Sequence, residues 1–125
     1  MTHRTNSEYD YEVAIVGGGP AGSAAGIFCA RAGLQTAVFD RGRSSLTRCA
    51  HLENYPGFPE GIDIETLYEL FHEQVEQAGC ELVPDMVESL ERRDTGPGFV
   101  AERQDGEAVL ARRVVAATRY GGEYM

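Results

Sequence analysis

The stretch VAIVGGGPAG, Val13 to Gly22, carries an apolar run into three consecutive glycines, a proline and a fourth glycine. Tyr11 to Val16 alternates little in polarity and ends at glycine, as a strand covered on both faces does. From Pro20 to Arg31 small residues dominate, among them Ala21, Ala24, Ala25 and Ala30, with Ile27 and Phe28 supplying bulk; this predicts a helix pressed closely on a sheet. Pro20 suits the first helical position, where no intrahelical amide bond is lost. Gly33 closes the helix in the left-handed conformation that other residues resist. LQTAVFD, Leu34 to Asp40, reads as a second buried strand, so the first forty residues form one β-α-β unit with a right-handed crossover.

Between that strand and that helix the pattern G-x-G-x-x-G falls on Gly17, Gly19 and Gly22. Each glycine answers a separate need: Gly17 permits the tight turn, Gly19 lets a pyrophosphate touch the backbone, and Gly22 lets helix and strand pack closely. Pro20 and Ala21 open the helix, whose N-terminus aims unpaired amides and a partial positive charge at phosphate. Asp40, eighteen residues beyond Gly22, ends the second strand where an acidic side chain accepts hydrogen bonds from an adenosine ribose. The same carboxylate disfavours a ribose 2′-phosphate, so NADP is not the expected occupant of this cradle. Arg41 and Arg43 follow, and either reach phosphate or decorate the loop. A glycine-rich turn beside a solvated aspartate is the bland alternative, and strand, helix and acid in register outweigh it.

At 125 residues and 42% hydrophobic content the chain supports one globular domain with a real core. A polar lead-in, residues 1–10, precedes a single domain over residues 11–125. Acidic residues number 20 and basic residues 11, all of them arginine, for a formal charge of -9. An anionic surface repels phosphate backbones and anionic lipid, so neither nucleic acid nor membrane is an expected partner. Lysine-free acidity also resembles proteins of salt-loving archaea, whose cytosol screens carboxylate repulsion at short Debye lengths. No apolar run approaches the roughly 18 to 20 residues of a membrane span, and no hydrophobic segment follows the N-terminal charges, so a cytoplasmic protein is expected. Cys29, Cys49 and Cys80 are odd in number and widely spaced, which argues against a disulfide framework or a zinc knuckle.

Beyond Asp40 the segment from Arg41 to Gly61 reads as a long loop, a length that is usually functional or disordered, and function is the expectation. Asp63 then caps a helix in which Ile64, Leu67, Phe71, Val75 and Ala78 recur at intervals of three and four, one apolar stripe running to Gly79. Glu65, Glu69 and Glu73 line its outer face, and His72, just outside the stripe, is assigned nothing. Cys80 to Val83 reads as a third strand. Met86 to Leu90, Gly98 to Arg103 and Glu107 to Ala117 read as a β-meander broken by DTGPG and QDG turns. The expected class is α/β: a Rossmann-like FAD/NAD(P)-binding fold with a parallel sheet, a helix on either side and the meander packed on one face.

VAIVGGGPAG, FDRG, ENYPGFP and the late VVAATR stand in the order and spacing of the thioredoxin-reductase-like flavoproteins, which the chain resembles from about Tyr11 to Tyr124. GGGPAG is common to many FAD and NAD(P) proteins, whereas ENYPGFP after a loop of this length is more specific. The resemblance covers only the first portion of such an enzyme. It implies FAD held by its pyrophosphate at Gly17 to Gly22 and by its adenosine ribose at Asp40. Asn54 would lie beside the isoalloxazine ring, Val87 would offer backbone to the adenine, and Ala117 and Thr118 match the second flavin-contacting turn. The family usually has Gly-Gly-Gln where this chain has Arg43, Ser44 and Ser45, and glycine where it has Arg119. In the complete enzyme NAD(P)H reduces the flavin, which passes electrons to a disulfide or another acceptor. The domain carrying the redox C-x-x-C is not in these residues, so a complementing chain would have to supply it. Two-fold association is common among similar flavoproteins, and no pattern here marks an interface.

No residue takes a catalytic or metal-binding role in this reading. Cys49 and His51 could pair as an activated thiolate, but no third orienting group is visible. A metal site from Cys49, His51 and His72 matches no common ligand spacing. Cys29 and Cys80 read as small core hydrophobes. Tyr55, Phe58 and Pro59 either stack near a flavin or anchor the loop. Two alternatives to a reductase portion stay open: a non-catalytic module for FAD, NAD or ADP-ribose, and a truncated gene product with little function.

Overall fold

The computed structural model describes residues 8–41 and 51–118. The β-α-β unit forms as expected from β1 (Tyr11–Val16), α1 (Pro20–Arg31) and β2 (Thr36–Phe39). β1 and β2 run parallel, with Val13 opposite Thr36 and Val16 opposite Phe39. Gly33 has φ +92°, and the amide of Leu34 reaches back to the Cys29 carbonyl at 3.1 Å, which closes α1. α1 presses on the sheet through Gly22, Ser23 and Gly26, which are buried. Phe28, by contrast, points outward at 75% exposure.

The remaining elements are β3 (His51–Leu52), β4 (Ile62–Asp63), α2 (Ile64–Gln77), β5 (Glu81–Val83), β6 (Val87–Arg92), β7 (Phe99–Arg103) and β8 (Val109–Ala116). β3, inside the long loop, pairs with β4 just past its end in a small antiparallel ladder, His51 opposite Asp63 and Leu52 opposite Ile62. The main sheet has the order β5-β2-β1-β8-β7-β6. β5, β2, β1 and β8 are mutually parallel, and β6, β7 and β8 form the expected meander. β8 belongs to both parts. Ala111 pairs with Phe99 of the meander and with Tyr11 of β1, and the strand then follows β1 to Ala116 opposite Val16.

The expectation of one helix on either side needs correction: α1 and α2 pack on each other and on the same face of the sheet. The reason is the direction of travel. The chain moves outward from β1 to β2 and on to β5, and two right-handed crossovers taken in one direction place both helices on one side. Reversal occurs between β5 and β8, and the meander makes it. On the helix face Val13, Ile15 and Val38 pack with Val75 and Cys80. On the other face Ala14, Val16, Ala37 and Phe39 pack with Val87, Ala101, Val109 and Ala111 of the meander. The hydrophobic strand runs are explained by this double coverage.

α2 buries Ile64, Leu67 and Val75 and turns Glu65, Glu69 and Glu73 outward, as its periodicity requires. Asp63 stands at the N-cap, but its carboxylate makes no cap bond and faces His51 Nδ1 at 3.4 Å instead. Glu8 to Asp10, at the end of the lead-in, are fastened to the meander. The amide of Asp10 donates to the Leu110 carbonyl at 2.8 Å, and the Tyr9 hydroxyl donates to the Pro97 carbonyl at 2.7 Å. Among the described residues no helix is long and apolar enough to cross a membrane.

Candidate dinucleotide cradle

The C-terminal ends of β1, β2 and β8 meet at Gly17. Its amide donates to the Phe39 carbonyl at 2.9 Å, and the Ala117 amide donates to the Val16 carbonyl at 2.8 Å. Gly17 has φ +107°, and a Cβ there would lie 2.6 Å from the Ala117 oxygen and 3.3 Å from the Thr118 nitrogen. The two glycine-rich and alanine-threonine turns that the sequence keeps far apart are therefore in contact. At Gly22 a Cβ would overlap the Gly17 carbonyl oxygen and come within 3.3 Å of Ala117 Cβ. Glycine is required at both places by space, and at Gly17 by conformation as well.

Gly18, which the motif leaves unspecified, is equally confined: a Cβ would meet Asp40 Cβ at 2.8 Å. Its carbonyl accepts from Ser23 Oγ at 3.0 Å and from His72 Nε2 at 2.8 Å. Gly19 is the extended N-cap residue of α1, followed by Pro20 at the first helical position and the exposed Ala21. A Cβ on Gly19 would touch only the Tyr68 hydroxyl, at 2.9 Å. The first amides of a helix have no intrahelical acceptor. They leave donors and partial positive charge at this corner.

Asp40 follows β2 directly, with its amide on the Val83 carbonyl at 3.0 Å and its carboxylate Oδ2 3.5 Å from His72 Nε2. Gly17, Gly18, Gly19, Gly22, Asp40, Ala117 and Thr118 are thus drawn to one edge of the sheet. Arg41 is exposed and reaches Met86 Sδ at 3.6 Å. Val87 begins β6 next to Met86 and is buried against the meander face of the sheet. Asn54 is exposed on the loop between β3 and β4, in a shallow depression formed by residues 53–59.

Tyr55 packs on Phe58 with ring centres 6.4 Å apart and on Phe71 of α2 at 5.8 Å, so these rings anchor the loop to the helix. His51 faces Asp63, while Cys49, Arg43, Ser44, Ser45 and Arg119 lie outside the described residues. Among the described residues no cluster of His, Cys, Asp and Glu has the make-up of a metal site. Cys80 is buried, and burial pushes its thiol up to about 11, in keeping with a core hydrophobe.

The sequence reading gives no role in the site to His72, Tyr68 or Ser23, and includes Gly18 only within the span Gly17 to Gly22. Tyr68 and His72 are four residues apart, hence on one flank of α2, and their rings meet at 6.1 Å. That spacing is the one local signal that could have marked them. Which element the flank faces is decided by sheet order.

The pyridine nucleotide-disulphide oxidoreductase family pattern matches residues 11–120. Among relatives, the bifunctional thioredoxin reductase/thioredoxin of Mycobacterium leprae is 36% identical over 118 residues, covering 92% of this chain and 25% of that protein. The thioredoxin reductase of Streptomyces clavuligerus is 40% identical over 109 residues, 85% of this chain and 33% of that one. Among solved structures, the atypical thioredoxin reductase TRi from Desulfovibrio vulgaris Hildenborough superposes with a TM-score of 0.79 at 32% identity, over 87% of this chain and 36% of that chain. The chain spans about a third or less of the length of these proteins. Matched by the family pattern from residue 11 to residue 120 and superposing on a thioredoxin reductase over most of its length, the chain belongs to the pyridine nucleotide-disulphide oxidoreductase family and is thioredoxin-reductase-like over the part it spans.

Proposed function

We propose that this chain is the FAD-binding portion of a thioredoxin-reductase-like oxidoreductase, a single domain from Tyr11 onward behind a short polar lead-in. The observation that carries the proposal is the corner where a Cβ on Gly17, Gly18 or Gly22 would collide with Ala117, Asp40 or Gly17 respectively. A backbone stripped of side chains beside a helix N-terminus and a carboxylate suits a dinucleotide diphosphate and its ribose.

In this reading Gly17, Gly19, Pro20, Ala21 and Gly22 form the pyrophosphate seat, and Asp40 accepts from the adenosine ribose hydroxyls. Arg41 reaches for phosphate, and the backbone of Val87 flanks the adenine. Asn54, Ala117 and Thr118 serve the isoalloxazine end. The chemistry supplied by a bound flavin is the passage of two electrons from NAD(P)H to a disulfide or another acceptor. The residues here bind and orient, alone or as a homodimer; the groups that receive electrons would have to come from elsewhere in a longer protein or from a complementing chain, since a second copy repeats the same residues. The lysine-free, acidic surface supports a protein that works in a salt-rich cytoplasm.

The test is a titration of the purified chain with FAD in high salt, followed by absorbance and flavin fluorescence, with Gly19→Val as control. Saturable quenching in the parent and its loss in the variant are expected. Colourless protein that still binds ADP-ribose would replace the flavoprotein reading with a dinucleotide module of another kind. Equal flavin affinity in parent and variant would sink the cradle itself.

A further inference from the structure

The cradle is closed from behind by a residue outside the dinucleotide motif. His72 stands on α2, 54 positions from Gly18 along the chain, and its Nε2 lies 2.8 Å from the Gly18 carbonyl oxygen. A carbonyl only accepts, so Nε2 carries the proton in this arrangement. Ser23 Oγ donates to the same oxygen at 3.0 Å, from the first turns of α1. Two donors from two helices therefore hold one peptide group.

A trans peptide directs its C=O and its N–H in opposite senses. Holding the Gly18 carbonyl toward α2 turns the next amide, that of Gly19, away from it. A free carbonyl would swing its partial negative charge toward any anion seated on the glycines; the clamp removes that repulsion and presents a donor. The imidazole also lies 3.5 Å from Asp40 Oδ2, with both side chains mostly covered, at 18% and 23% exposure. Since Gly18 has no room for a Cβ against Asp40, the loop, the carboxylate and the imidazole form one packed unit.

We infer that His72 is a positioning residue of the dinucleotide cradle. Its Nε2–H fixes the Gly18–Gly19 peptide with the Gly19 N–H presented to a ligand diphosphate, and its ring keeps Asp40 beside that peptide. This rests on the dinucleotide reading above. It makes α2, which lies outside the β-α-β unit, part of the binding machinery.

The test uses the whole chain, with FAD and ADP as separate calorimetric probes, on the parent, His72→Leu and His72→Gln. Losing the donor leaves a covered carbonyl one bond short, so His72→Leu should weaken both ligands at least about tenfold. The amide nitrogen of glutamine takes the place of Nε2, and His72→Gln should stay within about threefold of the parent. Should His72→Leu fail to fold, His72→Asn, polar but too short to reach Gly18, carries the same expectation. Tight binding by the parent and His72→Leu alike overturns this inference alone. Equal losses in the leucine and glutamine variants, with unfolding midpoints lowered together, reduce His72 to packing and overturn it too. A parent that takes neither FAD nor ADP sinks the dinucleotide reading and this inference with it.

Discussion

A Cβ on Gly17 would lie 2.6 Å from the carbonyl oxygen of Ala117, so the turn after β1 and the end of β8 are in backbone contact. Gly17 also has φ +107°, where an L side chain is strained even in open space. Neither neighbour is a flexible side chain that can move aside. Gly17→Ala should therefore lose at least about 2–3 kcal/mol of stability. Urea unfolding of the two proteins checks this, and an unchanged midpoint would mean that the two turns do not meet.

Gly19 presents the opposite case. Its backbone is extended, at φ -80° and ψ -155°, and a Cβ there meets only the end of Tyr68. Gly19→Val should fold with a stability change within about 1 kcal/mol. The new side chain projects where the proposed diphosphate would touch the backbone, so flavin and ADP affinity should fall together. The contrast between Gly17, where substitution should cost stability, and Gly19, where it should cost ligand affinity, would separate a glycine needed by the fold from one facing the proposed ligand. Loss of folding in Gly19→Val, or full binding by a folded Gly19→Val, would remove that distinction.

How much of this was legible beforehand follows the range of the interactions involved. β1 and α1 are set by local signals, apolar residues ending at glycine, Pro20 at the first helical position and Gly33 behind the last, and their bounds match the sequence reading. The meeting of Gly17, Gly22 and Asp40 at one corner was legible because a close backbone approach is written directly as glycine and the acid ends the neighbouring parallel strand. The β3–β4 ladder was not, since two residues per strand carry no periodicity. The side on which α2 lies and the partner of His72 depend on which strand the chain joins next, a fact stored in no single window. Gly18 shows a subtler gap: the motif leaves it free, and only the approach of Asp40 makes glycine obligatory there.

Asp85 is 3% exposed and gathers three donors: the Met86 amide at 2.7 Å, Arg103 Nε at 2.9 Å and the Asp105 amide at 3.2 Å. Burial pushes its carboxyl up, but the Met86 amide, the Arg103 and Asp105 bonds and the Arg103 charge together hold it below the usual carboxylate range. A depressed folded value means that this stabilisation is complete above the unfolded value and is lost as pH falls through the folded one. Asp85→Asn should thus unfold at a lower temperature than the parent at pH 7, with the gap narrowing below about pH 4. Thermal midpoints from pH 7 to 3 decide it; a gap that does not change with pH counts against an ionised Asp85.

Cys80 is 4% exposed between α2 and the sheet, and its thiol is pushed up to about 11, by burial first and then by Cys29 and Glu81. At pH 8 a thiol of that strength is thiolate in roughly one molecule per thousand, and the thiolate is the reactive form. Iodoacetamide should leave Cys80 unmodified in the folded chain and label it in urea. Peptide mapping after a short exposure reads the outcome directly. Rapid labelling of native protein at Cys80 would show that α2 does not cover it.

α1 comes close to the sheet at Gly26, where a Cβ would lie 2.7 Å from Val38 Cγ2 and 3.3 Å from Cys80 Sγ. Alanine in mid-helix gains up to about 1 kcal/mol over glycine, whereas overfilling a packed core costs about 1–3 kcal/mol. Val38 is 0% exposed and has nowhere to turn, so overfilling wins. Gly26→Ala should lose about 1 kcal/mol, and Val38→Ala about 2 kcal/mol through the space it vacates. That space is where the alanine methyl at position 26 would go. The double variant should therefore be more stable than the sum of the two losses by at least about 1 kcal/mol, a coupling measured by a double-mutant cycle in urea. Additive losses would place Gly26 and Val38 out of contact, and with them the seating of α1 that sets its N-terminus against the glycine corner.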